Sequence, residues 1–137
     1  MKARSIKQPW IHAILREGKD IENRTWQRNH RGWIALHACA KPRRDAIFPR
    51  GHRVPDLKTL TYSAICGVAP VADIVTKSRS KWFDRPDDGS TNYGWVLTHV
   101  TALRKPIPCR GKLGLWDLPP HVLRQLRRRL PRLKLDA

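Results

Sequence analysis

Lys19, Glu22 and Arg24 fall within a six-residue stretch of the segment Gly18-Lys19-Asp20-Ile21-Glu22-Asn23-Arg24. In an extended chain Glu22 and Arg24 point to the same side, so a carboxylate–guanidinium pair forms naturally there. Such a pair fixes one carboxylate oxygen and leaves the other for the exocyclic amine of a base. Lys19 can meet a phosphate or polarise a carbonyl oxygen. The same three residues also suit a purely structural ion pair closing a sheet. Gln8 and Trp10 precede them at a strand-to-helix junction. Gln8 offers a donor and an acceptor to a base edge. Trp10 offers a stacking face, worth about 1–3 kcal/mol per base, although its place in an apolar stripe fits the core better. Trp82, in Lys81-Trp82-Phe83, reads as the best exposed stacking candidate, whereas Trp33 and Trp116 sit in apolar strands and read as core. His37 is a lone histidine in an apolar strand, which fits a hydrogen-bonded core residue; if open to a cleft it can donate to a phosphate.

These residues need elements to hold them. Arg4–Lys7 reads as a first strand. Pro9 fits the first turn of a helix, where its missing N–H is no loss. Trp10, Ile11, Ile14 and Leu15 recur at helical spacing, and Gly18 stops the helix. Residues 19–26 alternate as a strand, and Trp33–Cys39 is a second one dense in apolar residues. Residues 41–58, with Pro42, Pro49 and Pro55, read as a loop carrying a short helix at Arg44–Phe48. Ser63–Val75 is a long strand in which Gly67 and Pro70 predict a bulge or an edge. Gly94–Val100 is another strand, Pro106 and Pro108 bracket a bend, and residues 113–118 form the last strand. Pro119-Pro120 opens a helix over about His121–Leu130 with Leu123, Leu126 and Leu130 facing the body. Five or six strands with an early and a final helix predict a mostly β, α+β domain. A small, mostly antiparallel barrel with helices at its mouth fits better than a doubly wound sheet.

The chain of 137 residues carries 28 Lys and Arg against 11 Asp and Glu, a formal charge of +17. Its pI is about 11.1. The length fits one domain, 1–137, whose residues 119–137 form a basic helical extension. The excess charge is spread over three clusters: Lys41 to Arg53 with Arg43 and Arg44; Lys77 to Arg85; and the C-terminal run containing Arg124, Arg127 and Arg128. A charge of this size makes a polyanion the expected partner, and nucleic acid first among polyanions. No apolar run approaches the roughly 20 residues of a membrane span, and nothing reads as a signal peptide. Cys39, Cys66 and Cys109 are far apart, without a CxxC pair, which argues against a zinc site or a disulfide framework. Reduced thiols in a cytoplasmic protein are expected, with no metal and no cofactor.

Three ordered segments resemble the ASCH domain family. They are Gln8-Pro9-Trp10; Gly18-Lys19-Asp20-Ile21-Glu22-Asn23-Arg24, similar to the family's G-x-K-x-x-E-x-R signature; and Arg31-Gly32 leading into Ile34-Ala35-Leu36-His37-Ala38. Gly94-Trp95-Val96-Leu97 and Gly111-Lys112-Leu113-Gly114-Leu115-Trp116 resemble its closing strands. The resemblance is strongest over residues 3–118. It departs at Gly18, which directly precedes Lys19 where the family usually carries a spacer. The resemblance implies a PUA-like barrel with a cleft between barrel and helices. Family members are linked to RNA or DNA binding; one relative is an amidohydrolase on N4-acetylcytidine, and some are described as ribonucleases. Lys19 matches that amidohydrolase's lysine, while Glu22 stands where it has threonine. Asp84 and Asp87 are the candidates for its second acid.

The expectation is therefore a monomeric protein that binds RNA or single-stranded DNA. Its nucleic-acid-binding residues are Gln8, Trp10, Lys19, Glu22, Arg24, Arg31, His37, Arg43, Arg44, Lys81, Trp82, Arg124, Arg127 and Arg128. The alternatives are a hydrolase on nucleic acid or nucleosides, with Lys19 and Glu22 catalytic, and an interaction module for an acidic protein partner.

Overall fold

The computed structural model describes residues 1–135, so the last two residues of the basic extension lie outside it. The described elements run β1 (Lys2–Ile6), α1 (Trp10–Arg16), β2 (Ile21–Arg24), β3 (Gly32–Ala38), a 3-10 turn (Leu57–Thr59), β4 (Ala64–Val75), β5 (Tyr93–Leu97), β6 (Thr101–Pro108), β7 (Leu115–Asp117) and α2 (Pro120–Arg129). Seven strands form one sheet in the order β2-β5-β4-β3-β1-β7, with β6 on β4. Every pairing is antiparallel except β1 with β3, which α1 and β2 separate in the chain.

Two differences from the sequence expectations concern the middle of the chain. The stretch around Pro106 and Pro108 is a strand, not a bend. Among the described residues it pairs only with β4, and an edge strand tolerates proline because its missing N–H faces away from the ladder. No helix forms at Arg44–Phe48. Phe48 precedes Pro49, which disfavours helical backbone, and its ring is buried between Trp10 and Trp82 instead. The bulge expected near Gly67 is present, as a register shift between Ile65 and Gly67. β6 pairs with the first half of β4 on both sides of that shift, and β5 pairs with the second half, which carries a further shift between Val71 and Asp73.

Strand alternation divides the core into two faces. Ile34 and Leu36 pack with Ile11 and Ile14 of α1, while Ala35 between them packs with Val122 and Leu126 of α2. The two helices therefore cover opposite faces of the sheet. Among the described residues no helix is long and apolar enough to cross a membrane.

Candidate functional site

The cleft begins at the end of α1. Gln8 Oε1 accepts from the N–H of His12, one of the helix's unpaired first-turn donors, and Gln8 Nε2 donates to the Thr61 carbonyl. At the other end Gly18 adopts φ +72°, a left-handed turn that glycine makes without a Cβ clash, and the Lys19 N–H closes on the Ala13 carbonyl. The chain thereby enters β2 with Lys19 pointing inward. Its ammonium donates to the Ile21 carbonyl, sits 3.8 Å from Glu22 Oε1 and lies 5.6 Å from the Trp10 ring centre. Arg24 reaches Glu22 Oε2 at 3.5 Å and stacks over Trp26.

Lys19 is 3% exposed and Glu22 7%, so both charges are held out of water. Burial pushes the Glu22 carboxyl up, against the pull of Lys19 and Arg4. Burial likewise lowers the Lys19 ammonium, opposed by Glu22, Asp84 and Asp20. Each partner is thus shifted toward its neutral form.

The surrounding cleft has a volume of about 720 Å3. Arg4 and Ser5 of β1 line it together with Lys19, Glu22 and Asn23. β2 opens the sheet path and β1 lies next to its other end, yet residues of both line this one cleft, so the sheet curls to bring them together. Trp10, Phe48 and Trp82 supply aromatic wall; Lys7, Arg43, Lys81 and Lys112 bring cations to the rim. Ile47 and Leu113, 84% and 96% exposed, stand at the mouth. Asn23 organises one wall: its Nδ2 donates to the Trp82 carbonyl and its Oδ1 accepts from the Asp84 N–H and from Asn92. That network brings Asp84 into the cleft; Asp87 does not line it.

Several expected site residues sit elsewhere. Gln8 is buried and both ends of its amide are occupied by backbone, so it offers no base edge. His37 is buried in a chain of hydrogen bonds, Nε2 to the Cys109 carbonyl at 2.7 Å and Nδ1 to Ser5 Oγ at 3.0 Å, and does not line the cleft. Trp82 is buried, not exposed, packed edge-on against Phe48 with His52 4.9 Å away, and reaches the cleft only as part of its wall. Trp10, read as core, is half-buried and lines the cleft. Arg24 lies behind Glu22. Arg31 is at the surface, paired with Asp73 at 3.2 Å; Arg44 is exposed outside the cleft; Arg124, Arg127 and Arg128 lie on α2, across the sheet.

Arg4, Lys7 and Lys112 escaped the sequence reading. Arg4 donates to the Gly114 carbonyl at 3.5 Å, and its buried Nε has no hydrogen-bond partner among the described residues. A charged residue in the short strand before Gln8-Pro9-Trp10 was the available cue.

No protein-family model matches the chain, and no curated protein matches it. The solved structure of ASCH from Zymomonas mobilis is similar to it, with a TM-score of 0.58 at 14% identity, covering 93% of each chain. The chain therefore has the ASCH fold, and the mostly β architecture with an early and a C-terminal helix agrees with it.

Proposed function

We propose that this chain is an ASCH-family protein that binds single-stranded RNA or DNA and takes one nucleotide into the cleft. The observation that carries this reading is the composition of one cavity. An aromatic wall at Trp10 and Phe48 suits a base face, a buried Lys19–Glu22 pair suits polar groups of the base, and Lys7, Arg43, Lys81 and Lys112 suit the flanking phosphates. The exposed Ile47 and Leu113 at the mouth add apolar surface for a ring. The free cysteines fit a reducing compartment, the cytoplasm.

The test titrates labelled single-stranded RNA and matched DNA with the native chain and with Trp10→Leu. Loss of a base stack predicts about 5- to 150-fold weaker binding, the equivalent of about 1–3 kcal/mol. Unchanged affinity in a folded Trp10→Leu chain contradicts the reading.

A second reading rests on the shifted Lys19–Glu22 pair with Asp84 beside it. In it Glu22 activates a water and Lys19 polarises the attacked carbonyl or phosphoryl oxygen. Strand or nucleoside turnover by the native chain that vanishes in Glu22→Gln supports it; intact substrate in both leaves the binding role alone.

A further inference from the structure

The face of α2 turned away from the sheet carries charge that the cleft does not use. Arg124, Arg127 and Arg128 are exposed, while Val122 and Leu126 of the same helix are buried. At about 100° per residue the three arginines span an arc of about 100°, and Leu126 lies about 200° from Arg124. The basic stripe is thus diametrically opposite the anchored stripe and faces away from the sheet. Arg129, about 140° from Arg124, lies beside the anchored stripe, and its guanidinium donates to the Lys105 carbonyl, tying the end of α2 to β6. Arg104 and Lys105 of β6, with Arg132 and Lys134 beyond the helix, are exposed too. No Asp or Glu occurs between Leu118 and Leu135.

The chemistry of this face selects its partner. Planar guanidinium forks on a rigid helix suit bidentate contact with phosphate. The exposed stripe has no apolar side chain to insert into a lipid interface and none to anchor a protein hot spot. Among the described residues of this face the one exposed ring is the His121 imidazole in the first turn of α2, and no Phe, Tyr or Trp stands beside it to give unpaired bases a stacking surface. What remains is recognition of paired nucleic acid through its backbone.

We propose that α2 is a second, sequence-independent contact surface for duplex nucleic acid, on the face of the sheet opposite α1. It stands apart from the cleft: a chain whose cleft took no nucleotide would still present it.

The experiment measures binding of a blunt RNA duplex without unpaired residues, and the corresponding DNA duplex, across a salt series. The proteins are the native chain, Trp10→Leu, and the triple variant Arg124→Gln/Arg127→Gln/Arg128→Gln, each checked by its melting transition. The triple variant is expected to bind duplex about ten-fold or more weakly at 0.1 M salt, with the log–log salt slope flatter by at least about 1.8, the Arg124 and Arg128 phosphate contacts at about 0.9 each. Trp10→Leu is expected to bind duplex as the native chain does, so failure of the cleft reading and failure of this one are distinguishable. If the triple variant does not fold, Arg124→Gln and Arg128→Gln singly decide the matter, each flattening the slope by about 0.9. No duplex binding by the native chain, or an unchanged slope in the folded variants, overturns the proposal. So does binding of the native chain to anionic vesicles that the triple variant loses while its duplex binding stays intact.

Discussion

Glu22 sits between two cations in a place that water scarcely reaches, and its charge state follows from that competition. Burial outweighs Lys19 and Arg4 and raises its pKa above the ordinary 4.5. The folded chain therefore holds this proton to higher pH than the unfolded chain does. As pH rises from about 4.5 through the raised value, the native chain loses stability relative to Glu22→Gln, which has no such proton to release. Melting curves of both proteins between pH 4 and 7 check this; a difference that does not shrink in the variant's favour as pH rises contradicts it. Gln8 gives a second prediction at this scale. Because its amide serves the His12 N–H and the Thr61 carbonyl, Gln8→Ala is expected to cost about 1–3 kcal/mol of stability. Oligonucleotide affinity of the folded variant should stay unchanged, as denaturant titration beside a binding isotherm would show. Lys19 and Glu22 stood out in the sequence because four charged residues, Lys19, Asp20, Glu22 and Arg24, crowd six positions, and Lys19 and Glu22 line the cleft. The sequence left Gln8 and Trp82 misplaced, because a side chain's outward or inward direction depends on partners remote in the chain, Thr61 and Phe48 here.

Among elements, β4 carries the architecture, since β3, β5 and β6 all pair with it. Gly67 lies directly against β6. A Cβ there would stand 2.6 Å from the Thr101 carbonyl oxygen and 2.8 Å from Leu15. The carbonyl belongs to backbone and cannot swing aside, so Gly67→Ala is expected to destabilise the fold by about 1–3 kcal/mol or more, measured by denaturant unfolding. A neutral result would mean that β6 is free to shift from β4. Local pattern sufficed for α1, β2, β3 and α2, where helical or alternating spacing and the stops at Pro9, Gly18 and Pro119 are all in the sequence. It failed for β6, because Pro106 and Pro108 carry a turn signal that only an edge position overrides. It failed again at Arg44–Phe48, where tertiary packing of Phe48 decides the backbone.

The molecule as a whole combines a curled sheet, a cleft lined from both β1 and β2, and a net charge of +17. The charge alone pointed to a polyanion, yet could not say which cations share a surface. Folding separates them: Lys7, Arg43, Lys81 and Lys112 gather at the cleft, Arg124 to Arg128 on the far face. Single-strand affinity is accordingly expected to fall steeply with salt, and Lys7→Gln/Lys112→Gln to flatten the log–log slope by about 1.4, two contacts at about 0.7 each for a single strand. The central claim, a nucleotide in the cleft, is tested most directly by mapping backbone amide NMR shifts as a short single-stranded oligonucleotide is added. The account predicts the largest changes at Ser5, Lys7, Trp10, Asn23, Asp84 and Lys112. Changes confined to exposed cations outside the cleft, with those six undisturbed, would contradict it.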